Sequence, residues 1–321
     1  MQITPAQLAL DPCTGSCIIM NPNTGELLAS VSYPGYDSNR LANNMDSAYY
    51  NSLLQDGSLP LYNNATQQTT APGSTFKMVT ASTGLTEGAI DPGTVITDTG
   101  IFERLGLKLK CWVYPRNHGS ITVSQAIRDS CNYFFAETAY RLSLSGDTYQ
   151  EEKGLNAIAK YATEFGLADK TNIEIPEGTP KISRMNFRID ASIGQSNHSY
   201  TTAQLARYVS AIANNGTVYD LTLLNKVTDS NGNIVQSYVP QVHNQITDLS
   251  PSTWQILHSG MEMAIGEHDQ FNDLQVSLAG KTGTAQENEK RPNHALFVGL
   301  CTGRFSADCD CNTNCIWIWI K

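Results

Sequence analysis

The chain has 321 residues, 40% of them hydrophobic, with a formal net charge of -9 and no basic run. That composition excludes a disordered tail, allows a substantial core, and argues against nucleic acid or an anionic membrane surface as the main partner. No apolar stretch approaches the roughly 20 residues that span a bilayer, and the first residues do not read as a signal peptide.

Two short apolar runs, Ser16 to Met20 and Glu26 to Val31, flank the turn-forming Asn21-Pro22-Asn23-Thr24-Gly25 and predict a β-hairpin. Residues 34–72 are polar and rich in Asn with little periodicity, which predicts surface loop with one short helix. The loop ends at Ala71-Pro72-Gly73-Ser74-Thr75-Phe76-Lys77, where an amphipathic run begins. A helix is expected from Ser74 to about Glu87, stopped by Gly88. Ser74 and Lys77 then lie three apart on one helical face. Unpaired amides and the dipole at a helix N-terminus favour a serine alkoxide and the oxyanion that follows. The lysine can take the serine proton if desolvation or a second cation lowers its pKa.

An irregular, strand-rich stretch follows to Asn117. Thr122 and Gln125 offer a capping box for a helix Val123 to Asp129, with Ser130-Cys131-Asn132 at its end and an apolar segment through Phe134, Phe135 and Tyr140 beyond. Leu155 to Phe165 has helical spacing, and Thr171 to Ile175 reads as a short strand. Thr201 or Thr202 with Gln204 starts a helix to Ala213, closed by Asn214-Asn215-Gly216. Two strands flank Asp229 to Asn233, and Ser250 with Pro251 opens a helix to about Ile265. A strand Val276 to Ala279 leads into Lys281-Thr282-Gly283-Thr284.

Ser-x-x-Lys, Ser-x-Asn and Lys-Thr-Gly in that order form the active-site signature of penicillin-recognising serine enzymes. The chain resembles the transpeptidase domain of penicillin-binding proteins from about Gly15 to Gly299, including Ala191-Ser192-Ile193-Gly194-Gln195 and Asn293 to Gly299. The resemblance implies an α+β fold, an antiparallel sheet sandwiched by helices with a mostly helical subdomain, occupying residues 1–300. It implies a D,D-transpeptidase that acylates Ser74 with a D-alanyl-D-alanine stem peptide, transfers it to an amine, and is inhibited by β-lactams. Lys77 would be the base and Ser130 the proton carrier. Asn132 would hold the substrate amide, and Lys281, Thr282 and Thr284 its carboxylate, with Gly283 leaving room for the acyl group. The backbone amides of Ser74 and Thr284 would form the oxyanion hole.

No cofactor and no metal are expected, since the six histidines are dispersed and lysine-run acyl transfer needs none; His118 and His294 are expected to pack or hydrogen-bond near the site. Gly280-Lys281-Thr282 ends like a phosphate loop, but Gln275 stands where its first glycine should be. Two competing readings are a serine β-lactamase and a non-catalytic β-lactam sensor. For the first, Glu152-Lys153-Gly154-Leu155-Asn156 matches a pattern that positions a deacylating water. Relatives act at the extracytoplasmic face of the membrane within cell-wall synthesis complexes, behind an anchor and a pedestal domain. Met1 to Pro5 looks like the edge of a fragment lacking both.

Cys13 with Cys17 and Cys111 with Cys131 could pair, although buried free thiols suit the spacing equally. Residues 301–321 depart from the family and from the preceding composition, with Cys301, Cys309, Cys311 and Cys315 crowded together. Back-translation one base later permits Ala-Pro-Ala-Asp followed by a half-buried strand pattern. The stretch is therefore expected to be a frameshift product rather than a metal site; if it is truly made, the sheet loses the proper continuation of the preceding strand and the C-terminal helix the family packs there.

Overall fold

The computed structural model describes residues 14–104, 106–183, 189–267, 277–285 and 293–302, and the backbone of 315–320. Its frame is a five-stranded antiparallel sheet. Strands β1 (Gly15–Met20) and β2 (Leu27–Tyr33) form the expected hairpin, and β3 (Ser277–Ala285) and β4 (His294–Thr302) form a second one. Between them lies β5 (Cys315–Ile320), giving the order β3-β4-β5-β1-β2. The pairing runs Ser16 with Ile320 on one side of β5 and Leu296 with Ile320 on the other. Residues 315–320 thus supply the middle strand of the sheet. The alternating Ile and Trp of residues 316–320 suit a strand whatever their origin. Cys13, Val276, Cys309 and Cys311 lie outside the described residues.

Helices α1 (Ser47–Gln55), α2 (Lys77–Thr86), α3 (Val123–Arg128), α4 (Asn132–Leu142), α5 (Glu151–Glu164), α6 (Thr202–Ala213) and α7 (Pro251–Gly266) complete the framework. The capping boxes at Thr122 and Thr201 and the proline start of α7 form as the sequence predicts. Helix α6 packs under β1, β4 and β5, and α7 packs on β3 and α3. At the α7–α3 crossing a Cβ on Gly260 would sit 2.7 Å from Ile127 Cβ, so glycine lets the two helices close up. Fully buried Arg207 on α6 donates to the carbonyls of Gly166, Asp169 and Lys170, satisfying a turn that would otherwise carry orphaned acceptors. No described helix is long and apolar enough to cross a membrane.

Two local expectations fail. Residues 171–175 form no strand. Asn172 has φ +62°, Thr171 bonds the Glu177 carboxylate, and Glu174 accepts from Leu223 N and Thr222 Oγ1, so side chains take up groups that a ladder would use. The 34–72 stretch is not all surface either. Asn64 to Thr66 and Thr70 to Ala71 are buried, and Thr70 exchanges backbone hydrogen bonds with Tyr200. That seam carries the chain inward to Ser74.

Candidate active site

The serine sits one step earlier in the helix than its spacing suggests. Gly73–Phe76 is a 3-10 turn that runs into α2 at Lys77. Gly73 takes φ +52°, and a Cβ there would meet Thr284 O at 2.5 Å, so only glycine allows the serine loop to lie against β3. Thr75 is locked from two sides, its hydroxyl donating to Pro72 O at 2.7 Å and its carbonyl accepting from Tyr208 OH at 3.2 Å. Ser74 alone in this turn is partly exposed. Its neighbours are held, and its hydroxyl is presented.

Lys77 has no exposed surface. Its Nζ donates to Ser130 O at 2.7 Å, Ser130 Oγ at 3.1 Å and Asn132 Oδ1 at 2.7 Å. All three partners are neutral, and among the described residues no carboxylate forms an ion pair with it, although the nearby Cys131 and Cys111 sulphurs favour its charged form. Burial first, and the Lys281 cation second, push its pKa well below the usual lysine value. These are the two causes, desolvation or a second cation, named above for a lowered lysine pKa.

Ser130 and Asn132 reach Lys77 because the chain reverses between α3 and α4. Ser130 has φ +52°, a left-handed conformation that costs a non-glycine residue about 1–3 kcal/mol and is typical of functional turns. Cys131 then caps α4, its sulphur accepting from Phe134 N at 3.4 Å. The Asn132 amide is held at both ends, Oδ1 on Lys77 and Nδ2 on Lys110 O at 3.3 Å.

Along β3 the side chains alternate. Thr282 and Thr284 are exposed, whereas Lys281, Gly283 and Ala285 are buried. Lys281 does not present itself to solvent: it is 1% exposed, and its Nζ donates to Thr282 O at 2.9 Å. Burial lowers its pKa to about 8. Gly283 packs directly against the serine loop. A Cβ there would meet Thr75 Cγ2 at 2.9 Å and Pro72 O at 3.1 Å, so its bareness lets β3 dock on the serine loop.

Behind the Ser130 turn lies a cluster that the sequence reading missed. One donor atom each from Asp98, Cys111, His118 and Cys131 lie within 4.8 Å of one another. His118 Nδ1 is 2.8 Å from Asp98 Oδ2 and 3.4 Å from Cys111 Sγ, and Cys131 Sγ is 3.4 Å from Asp98 Oδ2. The two sulphurs stand 3.8 Å apart as free thiols. Contact with Cys131 draws the Cys111 thiol down to about 6, while the same contact and burial push Cys131 up. Burial raises the Asp98 carboxyl, but hydrogen bonds from the Gly100 amide and from His118 outweigh it and hold the pKa below the ordinary value. These donor atoms are grouped closely enough to hold a metal ion, and sulphur and imidazole donors are those that suit zinc. Purified protein is expected to carry about one zinc per chain, lost in Cys131→Ala. Elemental analysis checks this, and a chain still zinc-free after incubation with micromolar zinc contradicts it.

Glu152 and Asn156 are both exposed on α5, with Leu155 and Ile158 on its buried side, and among the described residues no hydrogen bond or ion pair links Glu152 to Ser74, Lys77 or Ser130. The water-positioning pattern is an ordinary first helical turn.

Known proteins are similar to this chain in sequence and in fold. The chain is 28% identical over 303 residues to the peptidoglycan D,D-transpeptidase MrdA of Haemophilus influenzae, covering 86% of this chain and 44% of that protein. It is 29% identical over 319 residues to the peptidoglycan D,D-transpeptidase PbpA of Mycolicibacterium smegmatis, covering 90% and 59%. It therefore spans about half the length of the curated relatives it matches. Among solved structures it superimposes with a TM-score of 0.81 and 26% identity on a chain of a peptidoglycan synthase complex, covering 96% of this chain and 52% of that one. Penicillin-binding protein A of M. tuberculosis, solved as its penicillin G acyl-enzyme complex, matches in fold with a TM-score of 0.78 at 23% identity, covering 96% and 68%. The penicillin binding protein transpeptidase domain profile matches residues 15–303, a span that holds all three motifs, and the chain belongs to that family.

Proposed function

We propose that this chain is the catalytic domain of a peptidoglycan D,D-transpeptidase. The observation that carries the reading is Lys77, a buried lysine with no carboxylate partner among the described residues, bonded to Ser130 and Asn132 and one helical turn from Ser74. When Lys77 is neutral, the Ser130 hydroxyl can donate to its lone pair, which links the two along one proton path.

In the first step Ser74 Oγ bonds to the penultimate D-alanine carbonyl while Lys77 takes the hydroxyl proton. The tetrahedral oxyanion lies between the Ser74 and Thr284 amides. The bond to the terminal D-alanine nitrogen then breaks, and Ser130 passes the proton to that leaving amine. In the second step an acceptor amine attacks the ester, the bond between the acyl carbon and Ser74 Oγ breaks, and the proton lost by the amine returns to the serine. Asn132 and the exposed Thr282 and Thr284 hydroxyls position the donor, and the Lys281 charge attracts its carboxylate from beneath the strand. A β-lactam enters the same path, and its cyclic amide leaves a stable ester on Ser74.

Stem peptides and β-lactams are the ligands of this reading, and the extracytoplasmic face of a bacterial membrane, within a cell-wall synthesis complex, is its setting. The exposure of Glu152 disfavours a hydrolytic β-lactamase. The test supplies a D-alanyl-D-alanine donor peptide with and without an amine acceptor and follows products by mass spectrometry. The amide product is expected with release of D-alanine. Rapid hydrolysis of penicillin without peptide turnover would overturn the reading.

A further inference from the structure

The stretch Ala191-Ser192-Ile193-Gly194-Gln195 has no part in the steps above, yet it touches both sides of the oxyanion hole. Its first turn, Ile189–Ile193, is anchored to α2 through Thr80 Oγ1, which donates to Ser192 O at 2.7 Å. It is closed on itself by Gly194 N to Ala191 O at 3.1 Å and Gln195 N to Asp190 O at 3.1 Å. From that fixed turn, two consecutive residues reach out. Gly194 O accepts from Gly73 N at 3.0 Å, and Gln195 Nε2 donates to Thr284 O at 3.1 Å. Gly194 takes φ +77°, and a Cβ there would meet Gly73 O at 2.1 Å, so the first contact admits no side chain.

The second contact matters because of strand geometry. A residue's N–H and C=O leave a strand on the same side. Thr284 is opposite Ala295 on β4, near the end of an edge strand, with its carbonyl pointing at Gly73 and Gln195 rather than at β4. Its N–H therefore points out of the same edge, toward the serine loop. Fixing the carbonyl fixes the direction of the amide. We infer that Gln195 is a positioning residue for the oxyanion hole, its side-chain amide holding the Thr284 backbone so that the Thr284 and Ser74 N–H groups converge on one oxygen. The inference rests on the proposed acylation of Ser74 and names the device that aligns it.

A glutamine is suited to this task because it donates to a carbonyl without carrying charge beside a developing oxyanion. Gln195→Ala removes the donor and lets the end of β3 drift. Gln195→Glu puts a carboxylate against a carbonyl, and only its protonated form can donate again.

The experiment measures β-lactam acylation by stopped flow, separating the noncovalent dissociation constant from the first-order acylation constant. In Gln195→Ala the acylation constant is expected to fall about 10- to 100-fold, as for a misaligned rather than an absent donor, with the dissociation constant nearly unchanged. In Gln195→Glu the rate relative to wild type, compared at each pH, is expected to recover as pH falls toward the ordinary glutamate value of about 4.3. Wild-type acylation constants in Gln195→Ala, a loss confined to the dissociation constant, or a flat ratio across pH in Gln195→Glu would overturn the inference. A wild type that fails to acylate would instead overturn the functional reading on which it rests.

Discussion

Replacing Lys77 with methionine is expected to slow β-lactam acylation of Ser74 by about 10²- to 10⁴-fold, the range lost when a general base is removed. Methionine fills most of the lysine's volume, so the buried site keeps its packing. It leaves Ser130 O and Asn132 Oδ1 without their donor, which relaxes the turn as well as removing the base. The fold is expected to survive, since a buried unpaired cation is no great source of stability.

The wild-type pH profile supplies an independent check. On the proposed mechanism acylation needs neutral Lys77, whose pKa lies well below the usual value, so the rate is expected to rise with pH through that lowered pKa. It needs charged Lys281, whose pKa is about 8, so the rate falls as pH rises beyond it. The expected profile is a bell with its alkaline limb near 8, and Lys281→Arg moves that limb upward because arginine keeps its charge. Stability has the opposite alkaline trend. The unfolded chain holds the Lys281 proton up to the ordinary 10.5, so between about 8 and 10.5 it binds more protons than the folded chain and stability rises with pH. An alkaline limb that is unmoved in Lys281→Arg would contradict the assignment.

How far the sequence could be read depended on whether the relevant physics was local. The β1–β2 hairpin, the capping boxes at Thr122 and Thr201 and the Ser250-Pro251 start of α7 are short-range signals, and each marks a real boundary. The three site motifs carry their chemistry within a few residues, and even the two causes of the Lys77 shift could be named in advance. What escaped was non-local. Asp98, Cys111, His118 and Cys131 belong to a strand end, two loops and a helix cap, with no short spacing to betray them. Thr171 to Ile175 has strand residues but finds side-chain partners in Glu174 and Glu177 instead of a ladder. The contact of Gly283 with Thr75 and Pro72, a loop some 200 positions away in sequence, has no local signal either. Gln195 stood within a familiar stretch, but its role depends on where β3 ends.

The central claim is that Ser74, and no other nucleophile, is acylated and stays so. Ser74 is the one partly exposed residue of its turn, with Lys77 beneath it and the β3 edge opposite. Removing its oxygen removes the bond-forming atom outright, so no residual slow reaction is expected in Ser74→Ala. Intact-mass spectrometry of the purified chain over time with penicillin, beside that variant, tests the claim directly. The account predicts one adduct of the whole antibiotic that persists in the wild type and is absent from Ser74→Ala. An adduct retained in the variant, one that clears within minutes, or an unmodified wild type would contradict it.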